Sequence, residues 1–292
     1  MAVGSAVDAP RFRPILKWAG GKSRLVSRIV QRLPEHIDTY YEPFVGGAAV
    51  FFALASQHRF KRAVLGDLNR DLVDVYKGVK EDVDAVIQLL EGYRRRHSRE
   101  TYYETRQIDP GTLELPARAA RLIYLNKTGY NGLYRVNRSG QFNVPFGRYE
   151  NPAICDEPRL RAAAEALRRR SISIKVGDFE KLSQNAKAGD AVYFDPPYVP
   201  LSKTASFTGY HSATFGDEEH LRLASTFKQL TLRKVAAVLS NSGGKATQLL
   251  YQGTGIDVEK VLVTRPINSK STARGNVTEL LVSNRKAVGE RR

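Results

Sequence analysis

The chain has 292 residues, of which 42% are hydrophobic, so it can bury a sizeable core in one large domain or in two unequal ones. Its 46 lysines and arginines exceed its 30 acidic residues and leave a formal net charge of +16, which makes nucleic acid the first candidate for a partner. The single cysteine, Cys155, excludes an internal disulfide and a cysteine-based zinc cluster, and no apolar run reaches the roughly 20 residues of a membrane span.

The first 14 residues show no periodicity, and they lack the basic start and apolar core of a signal peptide. No basic amphipathic anchor stands out along the chain, so no membrane contact is expected. Together with the single cysteine, these features predict a soluble protein of the reducing cytoplasm.

Residues 16–23 (LKWAGGKS) precede a helical pattern of apolar residues at positions 25 to 33. The letters GKS suggest a phosphate-binding loop, but that motif requires a glycine five positions before Gly21, where Leu16 stands, so a nucleoside triphosphatase is excluded. Two glycines before a helix indicate close approach of the backbone to a ligand, and Trp18 offers a ring to pack on it.

A short strand at residues 37–41 leads into residues 42–52 (EPFVGGAAVFF), where a glycine turn opens an apolar helix. About twenty residues further on, a second strand ends at Asp67, where a carboxylate commonly accepts hydrogen bonds from ribose hydroxyls. Glycine turns and strand-end acids occur in many α/β proteins, but this order and spacing predicts a cofactor that contains a nucleoside, bound at a doubly wound sheet.

Residues 71–120 are charged, with apolar residues spaced for buried helical stripes. The basic run at residues 94–99 (RRRHSR) is either a solvated face or a phosphate contact. Aromatic, asparagine, arginine and glycine residues then alternate over residues 122–149, and a hairpin is predicted with strands at 133–136 and 141–144 and its tip at 138–140. Such side chains can read base edges and stack on bases, although an irregular hairpin packed on the core is the alternative.

A strand at residues 171–176 ends in Asp178 and Phe179, which either hold an adenine ring or cap the next element. A long, mixed loop at residues 199–216 has the character of a substrate flap. A helix at 217–230, a strand at 235–240 and two last strands at 257–263 and 278–283 complete the predicted sheet. The basic loop at 265–274, between those last strands, is a candidate phosphate contact.

The most informative stretch is residues 191–198 (AVYFDPPY), an apolar strand that ends in an acid, two prolines and an aromatic ring. Two prolines cannot continue a ladder, so Asp195 and Tyr198 stand at the carboxyl end of the strand, where open α/β sheets bind ligands. An amine conjugated to an aromatic ring is planar and a poor nucleophile. Hydrogen bonds from its protons to Asp195 and the Pro196 carbonyl would free its lone pair, while Tyr198 would stack on the base.

The chain resembles the Dam family of adenine-specific DNA methyltransferases from residue 16 to residue 282. The blocks that carry the resemblance follow in one order: KWAGGK (17–22), YEPFVG (41–46), GDLN (66–69), YLN (124–126), YNGL (130–133), FNVPFGRY (142–149) and DPPY (195–198). It implies transfer of methyl from S-adenosylmethionine to N6 of adenine in duplex DNA, most often within GATC, without a metal or a covalent intermediate. The chain departs from the family pattern at Ala48, where a glycine is common, and at residues 242–244 (SGG).

The resemblance also implies roles for individual residues. The cofactor pocket would be lined by Trp18, Ala19, Gly20, Lys22, Phe44, Asp67, Leu68, Asp178, Phe179 and Asp195. The flipped adenine would be received by Asp195, Pro196, Pro197 and Tyr198. The DNA contacts would come from the intercalating residue Tyr130 and from a base-reading set of Lys17, Asn131, Leu133, Arg135, Pro145 and Tyr149.

We therefore expect a Rossmann-like, doubly wound methyltransferase domain at residues 11–70 and 156–285, with a mainly helical DNA-recognition insertion at residues 71–155 that carries the hairpin. Double-stranded DNA is the expected partner, and no obligatory protein partner is inferred. Two alternatives remain at this point: a methyltransferase acting on glutamine or on an RNA base, and a DNA-binding regulator that has lost activity.

Overall fold

The computed structural model of the chain describes residues 11–18, 20–22, 24–169, 171–198, 215–253, 255–264 and 276–286. Within them, seven strands form one sheet in the order β3-β2-β1-β4-β5-β7-β6, in which β7 runs antiparallel to its neighbours and the other pairs are parallel. The strands are β1 (Ile37–Glu42), β2 (Phe60–Asp67), β3 (Ile172–Val176), β4 (Ala191–Phe194), β5 (Ala236–Ser242), β6 (Asp257–Thr264) and β7 (Asn276–Ser283). The predicted α/β class and its strands are confirmed.

Ten helices lie in the described residues, and none of them is both long and apolar enough to cross a bilayer. They are α1 (Val26–Arg32), α2 (Ala49–Ser56), α3 (Arg70–Glu81), α4 (Val83–Arg95), α5 (Arg99–Gln107), α6 (Leu115–Thr128), α7 (Glu157–Arg168), α8 (Phe179–Ser183), α9 (Asp217–Leu232) and α10 (Lys245–Leu250). Two 3₁₀ turns, Pro110–Thr112 and Tyr130–Gly132, flank α6.

N-terminal capping explains why the charged helical region divides into separate helices. The side chains of Asn69, Asp82 and Ser98 accept hydrogen bonds from backbone N–H groups in the first turns of α3, α4 and α5, at 3.3, 2.9 and 3.1 Å. Each cap satisfies a donor that a helix start leaves without a partner. Asp82 and Ser98 therefore mark the breaks between α3, α4 and α5.

The sheet separates two cores because successive residues of a strand face opposite sides. Tyr40 and Tyr193 belong to the core shared with α1 to α7, whereas Tyr41 and Phe194 belong to the core shared with α8 to α10. β1 lies beside β4, with β2 and β3 on one side and β5, β7 and β6 on the other. The strand order thus reverses between β1 and β4, and the carboxyl ends of these strands frame a crevice suited to a ligand.

The predicted hairpin forms its turn but not its strands. A single antiparallel bridge joins Val136 to Phe142, and the side-chain oxygen of Asn137 accepts hydrogen bonds from the N–H groups of Ser139 and Gln141, each at 3.0 Å. The predicted strands at 133–136 and 141–144 are therefore wrong. The polar side chains of this turn bind its own backbone and take the place of a regular ladder.

Three predicted features fall wholly or largely outside the described residues. Ala19 is one of them. The flap at 199–216 is another, apart from Phe215 and Gly216, and the basic loop at 265–274 is the third. The short helices α8 and α10 were not predicted, because segments of five and six residues carry too little periodicity to be recognised.

Replacing Gly78 of α3 with alanine is expected to destabilise the protein. The added Cβ would lie 2.7 Å from the Cβ of Ala119 and 2.9 Å from the carbonyl oxygen of Leu115, both on α6. Because a backbone atom cannot move aside without separating the two helices, we expect the free energy of unfolding to fall by about 1–3 kcal/mol in chemical denaturation.

The matched control is Gly92→Ala in the interior of α4, where no heavy atom lies within 4 Å of the added Cβ. Alanine is the better helix former, so this variant should gain up to about 1 kcal/mol. A similar decrease in the free energy of unfolding in both variants would contradict the close packing of α3 on α6.

Candidate active site

Asp195 stands at the centre of the crevice, directly after β4. Its Oδ1 forms an ion pair with Lys22 Nζ at 2.8 Å and accepts a hydrogen bond from Ser240 Oγ at 2.9 Å. The hydroxyl of Tyr193 lies 2.9 Å from the same Ser240 oxygen. The end of β4, the end of β5 and the loop before α1 therefore converge on one carboxylate.

Burial raises the pKa of Asp195 above its ordinary value because water is excluded from the charged form. The Lys22 ammonium and the Ser240 hydroxyl act in the opposite direction, while the negative charge of Glu279 adds to the rise. The ionised state of Asp195 thus depends on its two donors.

Tyr198 is held at both its hydroxyl and its ring. Its hydroxyl donates a hydrogen bond of 2.7 Å to Glu279 Oε2 on β7, and Lys22 Nζ lies 4.7 Å from the centre of its ring. Burial raises the pKa of Tyr198 well above its usual value, so the phenol remains neutral. A neutral ring fixed at one end is a suitable surface for stacking a base.

Lys22 is the residue whose structural position differs most from its predicted role. It was assigned to the cofactor pocket alone, yet its ammonium contacts Asp195 and Tyr198 and donates a 2.5 Å hydrogen bond to the Gly20 carbonyl. Only 5% of Lys22 is exposed. Its charge is therefore fixed inside the site.

The glycine turn after β1 is shaped by close contacts. Gly46 adopts a φ of +44°, and a Cβ there would lie 3.0 Å from the Trp18 ring. The Gly46 carbonyl accepts a 2.6 Å hydrogen bond from the Tyr76 hydroxyl. Ala48 adopts a left-handed φ of 57°, which explains why glycine is common at this position in the family pattern.

Asp67 follows β2 and faces the same turn. Its carboxylate accepts hydrogen bonds from the N–H groups of Asn69 at 3.0 Å and Gly46 at 3.4 Å, which lower its pKa, but burial dominates and raises the pKa to about 6. Leu68, the next residue, is 57% exposed. An acid at the edge of the glycine turn beside an exposed apolar side chain fits a nucleoside.

Phe44 and Phe179 stack with their ring centres 5.6 Å apart, and Phe194 and Phe215 pack edge-on against Phe44. Asp178 caps α8 through the Glu180 N–H at 3.0 Å and pairs with Arg222 at 2.9 Å. The structure therefore shows the capping role that the sequence left open for Asp178. Its contact with an adenine ring stays a prediction.

Glu42 at the end of β1 is a site residue that the sequence analysis did not single out. It is 2% exposed, and its Oε2 accepts hydrogen bonds from the Tyr40 hydroxyl at 2.9 Å and the Phe51 N–H at 3.0 Å. Burial raises its pKa to about 8. The signal available in the sequence was an acid directly before a proline at a strand end.

The DNA-contact candidates form one exposed segment and its neighbours. Tyr130 is 45% exposed, Leu133 is 36% exposed, and Asn131 adopts a left-handed φ of 55° in the 3₁₀ turn. Arg135 is exposed and donates hydrogen bonds to the side chain of Asn143 at 2.7 Å and its carbonyl at 3.1 Å. The guanidinium is thus pre-oriented.

Two further contacts bring the remaining predicted DNA residues to this segment. The Pro145 carbonyl accepts a hydrogen bond from the Tyr130 N–H at 2.9 Å. Lys17 Nζ lies 4.7 Å from the centre of the Tyr149 ring. Lys17, from near the start of the chain, thus lies against Tyr149, and Pro145 lies against Tyr130.

Asn126 joins this segment to the cofactor side. Its buried carboxamide accepts a hydrogen bond from Lys17 N–H at 2.9 Å and donates to the carbonyls of Lys17 at 2.7 Å and Gly132 at 2.8 Å. Tyr134 adds a second connection because its ring lies 5.5 Å from that of Trp18. One side chain thus fixes Lys17 against the 3₁₀ turn.

Comparison with known proteins agrees with this geometry. Residues 18–264 match the family of D12 class N6 adenine-specific DNA methyltransferases. Type II methyltransferase M1.LlaDCHI of Lactococcus lactis subsp. cremoris is 42% identical over 277 residues, which cover 94% of this chain and 95% of that protein. Type II methyltransferase M.MjaIII of Methanocaldococcus jannaschii is 42% identical over 293 aligned positions, with 93% and 99% covered. The DNA adenine methylase of Escherichia coli strain K12 is 37% identical over 273 residues, with 92% and 94% covered.

The chain belongs to the D12 class of N6 adenine-specific DNA methyltransferases, since the match covers most of its length. It is therefore an adenine-specific DNA methyltransferase with a Rossmann-like sheet, and the predicted relation to the Dam family is confirmed. These relatives favour adenine in DNA over the glutamine and RNA alternatives.

Replacing Glu42 with glutamine is expected to change how stability depends on pH. A carboxyl whose folded pKa is raised to about 8 binds its proton more tightly when folded, so stability falls as pH rises from its ordinary value of 4.5 towards 8. The melting temperature of the wild-type protein should therefore fall more between pH 5 and pH 8 than that of Glu42→Gln.

Asp38→Asn is the control for this comparison. Asp38 pairs with Lys61 at the surface, and that lysine lowers the pKa of Asp38. The stability that the ionised Asp38 provides is lost only as pH falls through the acid range. The melting temperature of Asp38→Asn should therefore fall between pH 5 and pH 8 by as much as that of the wild-type protein. If the melting temperature of Glu42→Gln changes with pH in parallel with that of the wild-type protein, the pKa of Glu42 is not raised in the folded state.

Proposed function

We propose that this enzyme transfers methyl from S-adenosylmethionine to N6 of an adenine flipped out of duplex DNA, with GATC as its target. The observation that carries the proposal is the position of Asp195 and the Pro196 carbonyl at the carboxyl end of β4, beside the anchored ring of Tyr198. The formal net charge of +16 also supports a DNA substrate, and we propose a cytoplasmic location for the enzyme.

The charge of the crevice suits a cationic methyl donor. The acids Asp67 and Glu279 each interact electrostatically with Asp195 at one edge of the sheet. S-adenosylmethionine supplies an electrophilic methyl group on a positively charged sulfur. The chain would hold it between the Gly46 turn and the end of β2 with residues Trp18, Ala19, Gly20, Lys22, Phe44, Asp67, Leu68, Asp178 and Phe179.

Catalysis would come from positioning and from hydrogen bonds to the target amine. The two N6–H groups of the adenine would donate hydrogen bonds to the Asp195 carboxylate and to the Pro196 carbonyl. These hydrogen bonds would draw the nitrogen towards tetrahedral geometry and expose its lone pair. Tyr198 would stack on the base after it leaves the duplex. The nitrogen lone pair would form the bond to the methyl carbon, the carbon–sulfur bond would break with its electron pair going to sulfur, and one N6 proton would leave to solvent.

Sequence reading would come from the exposed segment around the 3₁₀ turn. Tyr130 would enter the base stack, and Lys17, Asn131, Leu133, Arg135, Pro145 and Tyr149 would contact base edges. We also propose the division into a catalytic domain at residues 11–70 and 156–285 and a recognition domain at 71–155. It is supported by the run of helices α3 to α6 between β2 and α7.

The direct test incubates the purified protein with methyl-labelled S-adenosylmethionine and a duplex that contains one GATC, beside a duplex with that site scrambled. Label in the GATC duplex alone would support donor, acceptor and site together. Label in both would contradict GATC specificity, and label in neither, with folded protein, would contradict the proposed reaction.

Asp195→Ala is expected to bind duplex DNA at least as tightly as wild type and to lose methyl transfer by about 100-fold or more, because the amine loses its carboxylate partner. Filter binding and single-turnover label transfer measure the two effects. Asp38→Ala, which removes an exposed carboxylate, is the control and should keep its rate. A near-normal rate for Asp195→Ala would refute the assigned role.

Arg135→Ala is expected to relax base discrimination by about 1–3 kcal/mol at one position, because an arginine fork pairs bidentately with guanine. Competition between GATC and single-base variants measures this loss. Arg138→Ala is the control at the exposed tip of the same turn and should leave the order of preferred sites unchanged. Unaltered preferences in Arg135→Ala would exclude it as a base reader.

A further inference from the structure

The Asp195 carboxylate is surrounded mainly by groups that oppose its charge. Glu279 on β7 and Asp67 on β2 interact with it electrostatically, and Glu42 on β1 adds to this effect when it ionises, at a pKa of about 8. The charge of Lys22 acts in the opposite direction and lowers the pKa of Asp195. A buried carboxylate among acids stays ionised only when a fixed donor or cation compensates it.

The Lys22 ammonium is fixed by three separate contacts. It lies 2.8 Å from Asp195 Oδ1, 2.5 Å from the Gly20 carbonyl oxygen and 4.7 Å from the centre of the Tyr198 ring. Ser240 donates to the same Asp195 oxygen, and Tyr193 contacts Ser240 in turn. Within the part of the chain that the structure describes, both donors contact Oδ1, so we assign Oδ2 to the target amine.

We propose that Lys22 is a positioning residue for methyl transfer, which keeps Asp195 ionised and turns its Oδ2 towards the adenine amine. This inference rests on the proposed function but goes beyond a cofactor contact for Lys22. Ser240, which Tyr193 contacts, supports the same orientation because it donates to the same Oδ1. The recognition of the amine thus depends on a loop before α1 that is far from β4 in the sequence.

The position of Lys22 over Tyr198 raises one competing role. An ammonium that contacts Asp195 and the Tyr198 ring makes the same two interactions expected of the flipped adenine, so Lys22 would then fill the empty base pocket. In that case its removal would ease base entry and speed transfer. The positioning role has the opposite consequence, because removing Lys22 would leave a buried carboxylate without its cation.

The first measurement needs neither donor nor DNA. Lys22→Met removes the charge and keeps the side-chain length, so the pKa of Asp195 in the folded protein should rise further. The free energy of unfolding should then fall as pH increases from 3.8, the ordinary pKa of the group, through its raised pKa in the folded state. The melting temperature of Lys22→Met should fall below wild type more at pH 8 than at pH 5. The same substitution in an Asp195→Asn background should show no such difference.

Lys61→Met is the matched control, since Lys61 pairs with Asp38 at an exposed site. It should show little effect at either pH. A Lys22→Met loss that is equal at pH 5 and pH 8, or that persists in the Asp195→Asn background, would overturn the proposed pairing.

The second measurement is the pH profile of single-turnover methyl transfer. We expect the acid limb of Lys22→Met to move up by about one pH unit or more, a shift equal to about 1.4 kcal/mol per unit. Lys22→Arg should restore the profile, while the KM for S-adenosylmethionine changes less than the rate.

An unchanged acid limb with a raised KM would show that Lys22 only binds the donor, and faster transfer by Lys22→Met would show that it fills the base pocket. Either result overturns the positioning role. Failure of the wild-type protein to label any duplex would instead refute the proposed function, while the melting comparison would still decide whether Lys22 sustains the Asp195 carboxylate.

Discussion

The structure depends on one partly buried carboxylate, that of Asp195, which must remain charged. Two prolines end β4 directly after Asp195, and the reversal of strand order places this residue where the ends of β1, β4 and β5 meet. Burial there opposes ionisation, so the site needs donors from other elements. Lys22 and Ser240 provide them on one oxygen. The remainder of the crevice, including the anchored ring of Tyr198, is arranged around that constraint.

A second constraint joins the segment proposed to read bases to the crevice at the end of β4. Asn126 uses its whole carboxamide to tie Lys17 to Gly132, and a Cβ on Gly132 would lie 2.8 Å from the Lys17 side chain. Lys17 is followed directly by Trp18, which packs on the Gly46 turn. These contacts join the exposed segment around the 3₁₀ turn to the glycine turn after β1.

Much of the fold follows from local rules. Apolar runs predicted the strands because a buried parallel sheet requires them, and the acid and prolines after residue 194 predicted where β4 stops. The hairpin at 133–144 was the exception. Its alternating pattern predicts strands, but Asn137 and Arg135 bind the nearby backbone and shorten the pairing to one bridge. Hydrogen bonds of that kind depend on side-chain positions that a pattern of residue types does not contain.

By itself, the sequence determined the class of sheet, the carboxyl-end position of Asp195, Asp67 and Tyr198, and the family, because these depend on short-range order along the chain. Only the tertiary structure decided that Lys22 contacts Asp195, that Glu42 is a buried acid with a pKa near 8, and that Asn126 fixes Lys17. Those contacts join residues that are far apart in the sequence, and Lys22 and Asp195 are separated by 173 positions. No local pattern encodes them, since each depends on how the sheet and helices pack.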